Sequence, residues 1–424
     1  MLEWAAPKKT GRGPSSPARK CATAPGAVMH PSIVSESPEA SSYLNSITPI
    51  ETRDNTLAIQ FTGSGSEYFR IWIVNLLLML VTLGFYYPWA KVRRLRYFYG
   101  NTIVDGAPLD FHGDPKKMLR GYMLTGALVM LYSTAGNFSP VAGLAAFVLV
   151  AALWPALFKS SMQFRLANTG WRGLRFRFNG TLGGAYRALF PLFVPGAVLL
   201  ALIAVEPAGR EPSVTFAFTA GGVVAAMLLT GPWLWWNLKS YQHNHYALGQ
   251  LQTELRSTVG AFYAVFLKTI VVLLATGAAV GVIVALAGGG VPWTGGRRGT
   301  AVMVASILGL LVTFLVIQVL VRPYFMSRMQ NLLWSRTGNS SLRFRSQLKL
   351  RPLVGLTLKN WLLTVLTLGL YGPFAAIALA RMRLQAISVT TRISPDALLA
   401  QVQSHEGDAA GDAAGDLLGI DIGL

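Results

Sequence analysis

Apolar residues in this chain gather in long blocks, without the alternation of a half-buried strand or the 3.6-residue stripe of a surface helix. The blocks 141–153, 190–205, 214–234, 269–287 and 301–321 each reach about 20 residues with their weakly polar flanks. That is enough helix to cross a hydrocarbon layer of about 30 Å. Eight apolar segments are expected, at 69–87, 119–136, 139–158, 187–206, 214–236, 263–287, 300–322 and 356–372. The segment 119–136 is the weakest, because Ser133, Thr134 and Gly136 soften its end. Short β-like runs lie between them: 57–61, ended by Gly63 and Gly65, then 107–112, 173–178 and 341–345.

These patterns predict an all-α polytopic membrane protein of about eight hydrophobic helices, six spanning and two able to re-enter. Basic interfacial helices and short cytoplasmic β-strands complete it. Three regions follow: a disordered tail over 1–55, a multipass membrane domain over 56–392 with degenerate internal repeats, and an acidic Gly/Ala/Asp-rich tail over 393–424. Met29 is an alternative start.

The repeats emerge when the proline closing each apolar segment is taken as origin. Asn101 and Thr102 follow Pro88 at the same offsets at which Asn168 and Thr169 follow Pro155, and Thr337 keeps that offset from Pro323. Phe111 and Gly113 match Phe178 and Gly180 in the same frame. Pro232 opens a looser copy and Pro373 a truncated one. Each unit reads as a span, a proline break, a basic helix lying in the interface plane, a β-like run and the next span. In the first unit Trp89, Val92, Leu95 and Tyr99 share one helical face, while Lys91, Arg93, Arg94 and Arg96 lie mostly elsewhere, set for lipid headgroups. The β-like runs are too short to stand singly, so they are expected to pair into a small sheet.

One octet occurs twice, TLGFYYPW at 82–89 and TLGLYGPF at 367–374. Asn75 and Asn360 precede the two copies at the same distance and belong to the repeat. Full crossing of both octet segments is the expectation. The alternative is a hairpin that turns back at Leu-Gly-x-Tyr-x-Pro, which keeps every basic element on one side.

Charge adds an orientation. The stretches 88–120, 155–187, 232–268 and 322–359 hold 24 Lys and Arg, and the alternate loops 137–140, 207–213 and 288–299 hold 3. That asymmetry makes the basic loops cytoplasmic. It also accounts for the net charge of +19 without any nucleic acid. The single cysteine, Cys21, permits neither an intrachain disulfide nor a cysteine metal site.

The run 61–113, FTGSGSEYFRIWIVNLLLMLVTLGFYYPWAKVRRLRYFYGNTIVDGAPLDFHG, with the later NTGWRGLRFRFNG, YQHNHYALG, RPYF and LTLGLYGPF, resembles the YjgN-like family. These are bacterial inner-membrane proteins grouped as a domain of unknown function. The resemblance covers 57–424 and implies a multipass protein of the bacterial inner membrane. It implies no reaction, cofactor or site residue.

Motifs for chemistry are few. No phosphate loop, no His-Glu-x-x-His and no Gly-x-Ser-x-Gly is present, so no catalytic, cofactor or metal residue is assigned and a non-enzymatic protein is expected. His243 and His245 are read as interfacial polar residues rather than metal ligands. Asn75 and Asn360 either make interhelical hydrogen bonds or line a site between the two octet segments. The acidic tail either stays solvated or docks on the basic loops. Two functions remain: transport or channelling of a small solute or lipid, supported by Gly/Pro-interrupted segments in matching positions, or a scaffold whose basic face holds anionic lipid or a protein partner.

Overall fold

The structure, a computed structural model, describes residues 55–205, 213–287 and 297–392. The tails expected at 1–55 and 393–424 lie outside the described residues, Asn55 apart, so neither their disorder nor the docking of the acidic tail is addressed.

Five units of one design make up the described chain. Each is a strand, an outgoing helix, a returning helix and a strand that pairs antiparallel with the first. Unit one holds β1 (Asn55–Phe61), α1 (Gly65–Val81), α2 (Tyr87–Gly100) and β2 (Thr102–Val104). Unit two holds β3 (Ala107–Phe111), α3 (Pro115–Phe138), α4 (Pro140–Ala167) and β4 (Thr169–Trp171). Unit three holds β5 (Leu174–Phe178), α5 (Leu182–Val205), α6 (Val214–His243) and β6 (Tyr246–Leu248). Unit four runs through β7 (Leu251–Gln252), β8 (Glu254–Leu255), α7 (Val259–Ala287), α8 (Arg297–Val316), a π-turn (Ile317–Val321), α9 (Arg322–Ser335) and β9 (Thr337–Gly338). Unit five holds β10 (Leu342–Ser346), α10 (Leu350–Leu366), α11 (Gly372–Gln385) and β11 (Ile387–Thr391).

The expectation of an all-α protein is thereby corrected. The strands form one 11-stranded antiparallel sheet in the order β7-β6-β5-β4-β3-β2-β1-β11-β10-β9-β8. Its two end strands are joined through Thr253 alone, so the order returns on itself as a near-barrel. Tight hairpins link successive units. Two of them turn on a pair of positive-φ residues, Asp105-Gly106 (49° and 73°) and Arg172-Gly173 (49° and 84°), the backbone that matches strand twist. The last seam has no covalent link: β11 closes on β1, with Asn55 opposite Thr391 and Ala58 opposite Ser388.

The number of spans is corrected as well. Among the described residues five helices are long and apolar enough to cross a membrane: Pro140–Ala167, Leu182–Val205, Val214–His243, Val259–Val282 and Ile307–Ser335. α3 is long enough but too polar, in keeping with its weak segment. The octet segments are not among them. α1 and α10 each have 17 residues, about 25 Å, and both chains then fold back into α2 and α11 and return to the same sheet.

Both octets are one turn. Leu83 and Gly84 have φ of 49° and 90°, and Leu368 and Gly369 have 50° and 94°. Thr82 Oγ1 donates to the Leu78 carbonyl (2.7 Å) and accepts from the Tyr86 amide (3.0 Å), and Thr367 does the same with Leu363 (2.7 Å) and Tyr371 (2.9 Å). The Gly84 amide reaches the Met79 carbonyl (2.8 Å) and that of Gly369 the Thr364 carbonyl (2.7 Å). Tyr and the aromatic after Pro then stack, Tyr86 on Trp89 and Tyr371 on Phe374. A side chain at a left-handed position costs about 1–2 kcal/mol, so Gly84→Val and Gly369→Val should each lower stability by about that much. Gly355→Ala, where nothing lies near, should not. Thermal unfolding in detergent checks this.

The prolines do less breaking than expected. Pro155 and Pro232 sit inside continuous helices of 28 and 30 residues, so the basic parts of α4 and α6 prolong their spans towards the sheet instead of lying flat. All five prolines are buried. Past them, the helix ends are sealed alike: Thr102, Thr169 and Thr337 each donate to the carbonyl four residues back, at 2.7 Å. That is the structural content of the repeated Asn-Thr offset.

Candidate functional site

The proline-led parts of α2, α4, α6, α9 and α11 are neighbours in that order. Val92 and Phe164 join α2 to α4 in one buried cluster with Phe111 and Met118. Met162 and Tyr241 join α4 to α6. Trp235 and His243 of α6 meet Phe325 and Trp334 of α9, at 6.5 and 5.5 Å between rings. Arg383 Nε of α11 donates to Gln330 Oε1 of α9 at 2.8 Å. Ile377 of α11 shares a cluster with Tyr97 and Phe98 of α2, which closes a circle of five basic helices at the sheet end.

Arg165 on α4 is the electrostatic centre of one side of that circle. It lies within reach of Lys91 on α2, Lys239 on α6 and Tyr246 on β6. Burial pushes the Tyr246 phenol above its ordinary range, with the Arg165 charge acting in the opposite sense and Tyr99 adding to the rise. The described carboxylates are Glu67, Asp105, Asp110, Asp114 and Glu254, and none pairs with these three cations. Asp105 holds Arg172 at 2.8 Å, and Glu254 lies 3.8 Å from Arg256. Glu67 accepts from the Tyr97 hydroxyl at 3.0 Å. Lys239 finds only Gln242 Oε1, at 2.8 Å, and Arg165 the Met162 sulfur, at 3.6 Å. Lys91 lies 5.8 Å from the Tyr87 ring and Lys239 5.5 Å from that of Trp235. Cations backed by aromatic faces and left without counter-charge suit an anionic ligand.

The other residues expected on α2 fall outside this cluster. Arg93 and Arg94 are exposed over the rings of Tyr86 (5.7 Å) and Phe98 (5.6 Å). Arg96 Nη2 donates to the Gly113 carbonyl at 3.3 Å, and Trp89 is partly buried on Tyr86. Lys91 alone of the five joins Arg165.

Asn75 and Asn360 lie inside the two short helical hairpins, 5% and 9% exposed. Asn360 Nδ2 donates to the Ala375 carbonyl at 3.4 Å, yet both Oδ1 atoms are buried without a partner. Shifting Phe61 onto Phe111 aligns Asn75 with Thr125, whose Oγ1 is also buried and unpaired. Units five, one and two thus carry an unsatisfied oxygen at one repeat position. Each costs about 1–3 kcal/mol if nothing meets it.

His243 is 5% exposed and bonds Thr337 Oγ1 through Nδ1 at 2.9 Å, while His245 Nδ1 donates to the Tyr241 carbonyl at 2.7 Å. His243 braces the joint between units three and four, and His245 ties α6 to Phe178 within unit three. Among the described residues no three His, Cys, Asp or Glu side chains gather as a metal site.

The short hairpins shape the membrane part. The run α10, α11, α1, α2 lies between α8 and α3. Tyr87 stacks on Tyr122 of α3 at 5.1 Å, and α3 continues to Phe138, about 24 Å further. On the other flank Trp361 of α10 meets Phe314 of α8 at 6.5 Å, and α8 extends back to Arg297, about 25 Å. Between these flanks the helical wall stops at two apolar tips, with Leu83 90% and Leu368 95% exposed.

Residues 56–417 match the family described as "Bacterial protein of unknown function (DUF898)". The chain belongs to that family. It is 30% identical over 159 residues to Inner membrane protein YjgN of Salmonella typhimurium, covering 37% of this chain and 39% of the relative. Identity to Inner membrane protein YjgN of Escherichia coli O157:H7 is 28% over 148 residues, 34% of this chain and 35% of that one. For Escherichia coli K12 it is 27% over 177 residues, 39% and 43%. The matched part is thus less than half the length of each curated relative. No solved structure matches. Relatives, family and apolar helices agree on a multipass inner-membrane protein of this DUF898 family, with no activity specified.

Sequence reasoning found Lys91, Asn75 and Asn360 but not Arg165, Lys239, Tyr246 or Thr125. Arg165 and Lys239 were countable in the proline frame. Their meeting depends on α2, α4 and α6 being neighbours, which only closure of the sheet imposes.

Proposed function

We propose that this protein moves an anionic lipid or lipid-like solute between the bilayer and the basic interior of its ring. One observation carries the reading: the wall of helices is complete on three units and cut short on the adjacent first and fifth, leaving a lateral opening over unit one, whose Lys91 is within reach of Arg165 on the neighbouring α4. An amphiphile can enter through such an opening from the side, its chains in lipid and its head at the cations. The basic helix ends and the sheet then face the cytoplasm, as the 24-to-3 division of Lys and Arg supports. The reading involves no covalent chemistry and no cofactor.

The test is transbilayer movement of fluorescent phosphatidylglycerol and phosphatidylcholine in proteoliposomes. Faster movement of the anionic lipid than in protein-free vesicles is expected. Lys91→Gln and Arg165→Gln should each weaken it by about fivefold, from about 1 kcal/mol per basic residue. Equal rates with and without protein would end the proposal. The exposed Arg93, Arg94 and Arg96 favour a second reading, a scaffold that grips anionic lipid from outside. It predicts membrane attachment of partners with no lipid movement.

A further inference from the structure

Two cavities flank the link between β10 and α10, where unit five leaves the sheet for the membrane. One, about 760 Å³, lies against α9 and is lined by Arg328, Lys349 and Arg351 together with Asn331 and Ser346. The other, about 420 Å³, lies against α11 and is lined by Lys349 and Arg381 with Leu356 and Met382. No carboxylate lines either one, and among the described residues none pairs with these four cations. Arg381 Nη2 donates to the Gly63 carbonyl at 2.8 Å, and Arg328 lies 5.4 Å from the Tyr324 ring.

The link itself is held firmly. Asn331 Oδ1 accepts from the Leu348 amide (2.8 Å) and from Ser346 Oγ (2.9 Å), and Asn331 Nδ2 and Ser327 Oγ both donate to the Leu348 carbonyl, at 3.0 and 2.8 Å. Lys349 and Arg351 therefore project from a fixed backbone, which lowers the ordering cost of binding. Unit five also differs at the helix start. Ser64, Asp114 and Thr181 supply a capping oxygen to α1, α3 and α5. Lys349 stands at that place before α10 and makes no side-chain cap, so the first turn, whose Pro352 has no N–H, adds the Leu350 and Arg351 amides to the cations of the cavity wall.

We infer that this groove is a binding site for the phosphate of an anionic phospholipid, with Arg328, Lys349, Arg351 and Arg381 around the headgroup and Leu350, Leu356 and Met382 along the first acyl carbons. It deepens the transport reading by placing a headgroup seat beside the short hairpins, but it stands on the groove alone. Phosphate chemistry also allows a soluble phosphate monoester. The apolar side of the groove, set where α10 enters the membrane, decides for the lipid.

Binding of fluorescent phosphatidylglycerol to the purified full-length protein in detergent, measured by fluorescence polarisation, tests it. Phosphatidylglycerol should bind more tightly than phosphatidylcholine. Lys349→Gln with Arg351→Gln, both exposed and outside every core cluster, should weaken the anionic lipid by about fivefold per residue and leave phosphatidylcholine unchanged. Lys116→Gln with Lys117→Gln, exposed at the start of α3 and away from the groove, should leave both unchanged. Undiminished binding by the Lys349/Arg351 variant overturns the assignment, as does equal binding of the two lipids by wild type. Displacement by sn-glycerol 3-phosphate at equal affinity overturns the lipid in favour of a soluble phosphate. Selective binding without lipid movement in vesicles leaves the groove standing and removes the transport reading; movement without selective binding does the reverse.

Discussion

Gly180→Val should lower the thermal midpoint of the detergent-solubilised protein sharply, whereas Gly183→Ala, three residues on, should leave it unmoved. A Cβ at Gly180 would lie 2.5 Å from the Phe178 ring and 2.5 Å from the Tyr241 hydroxyl. Neither ring can retreat: both are buried, in one cluster with Met162, Ala185, Ala188 and Leu189. Forcing them apart costs about 1–3 kcal/mol. It also endangers the bond from Tyr241 Oη to the Thr181 carbonyl, 3.0 Å long, for about 1 kcal/mol more. Gly183 has open space where its Cβ would go. The contrast matters because Phe-x-Gly is the hinge by which a strand hands over to an outgoing helix. A Cβ at Gly113 would lie 2.5 Å from Phe111, and one at Gly63 would lie 2.8 Å from Phe61. Equal melting of Gly180→Val and wild type would mean that the ring-on-glycine contact is incidental to the joint.

That hinge shows what a sequence of this kind discloses. Phe111/Gly113 and Phe178/Gly180 stand at identical offsets because a ring and a glycine two residues apart make the same local contact each time, and local geometry writes itself into spacing. The Asn-Thr offset is legible for the same reason. The runs 107–112, 173–178 and 341–345 do pair, as their β-like character implied. The extent of the sheet was not legible. Strands of two residues such as β7, β8 and β9 have no room for an alternating pattern. The seam of β1 on β11 joins residues at opposite ends of the membrane domain with no turn to announce it. The two-residue turns Asp105-Gly106 and Arg172-Gly173 were the available signal, since Asp-Gly between apolar runs marks a hairpin. Proline misled in the opposite direction. Within α4 and α6 it is absorbed by continuing helix, where neighbouring segments compensate for the missing amide.

Hydropathy alone could not separate a crossing from a return at the octets, because a segment of about 20 apolar residues is long enough for either. The deciding feature is a pair of left-handed residues, Leu83-Gly84 and Leu368-Gly369. Thr two residues before the glycine and Pro four after it mark the same place in sequence. The basic elements on both sides of each octet already argued for a return, since a crossing would have put Arg381 and Arg383 opposite the other basic helices.

Leu83→Asp and Leu368→Asp should each destabilise the protein markedly in a bilayer, although these are among the most exposed side chains it has, at 90% and 95%. In water, an aspartate in place of an exposed leucine is neutral or favourable, and surface substitutions usually stay within about 0.5 kcal/mol. In hydrocarbon the same change costs about 2.5–3.5 kcal/mol, and the neighbours at the first tip, Leu80 and Val81, are themselves 64% and 81% exposed. The sign of the effect therefore reports the solvent at the tip. Unfolding measured in vesicles should show a loss of that order for each variant, and a larger one for the pair, because the tips lie on different hairpins and act nearly independently. Leu83→Asn, polar but uncharged, should fall between. A quencher carried on lipid chains should reach a fluorophore on Leu83→Cys, and a water-soluble quencher should not. Unchanged stability of both aspartate variants, with quenching from water, would place the tips outside the hydrocarbon and remove the lateral opening on which lipid entry depends.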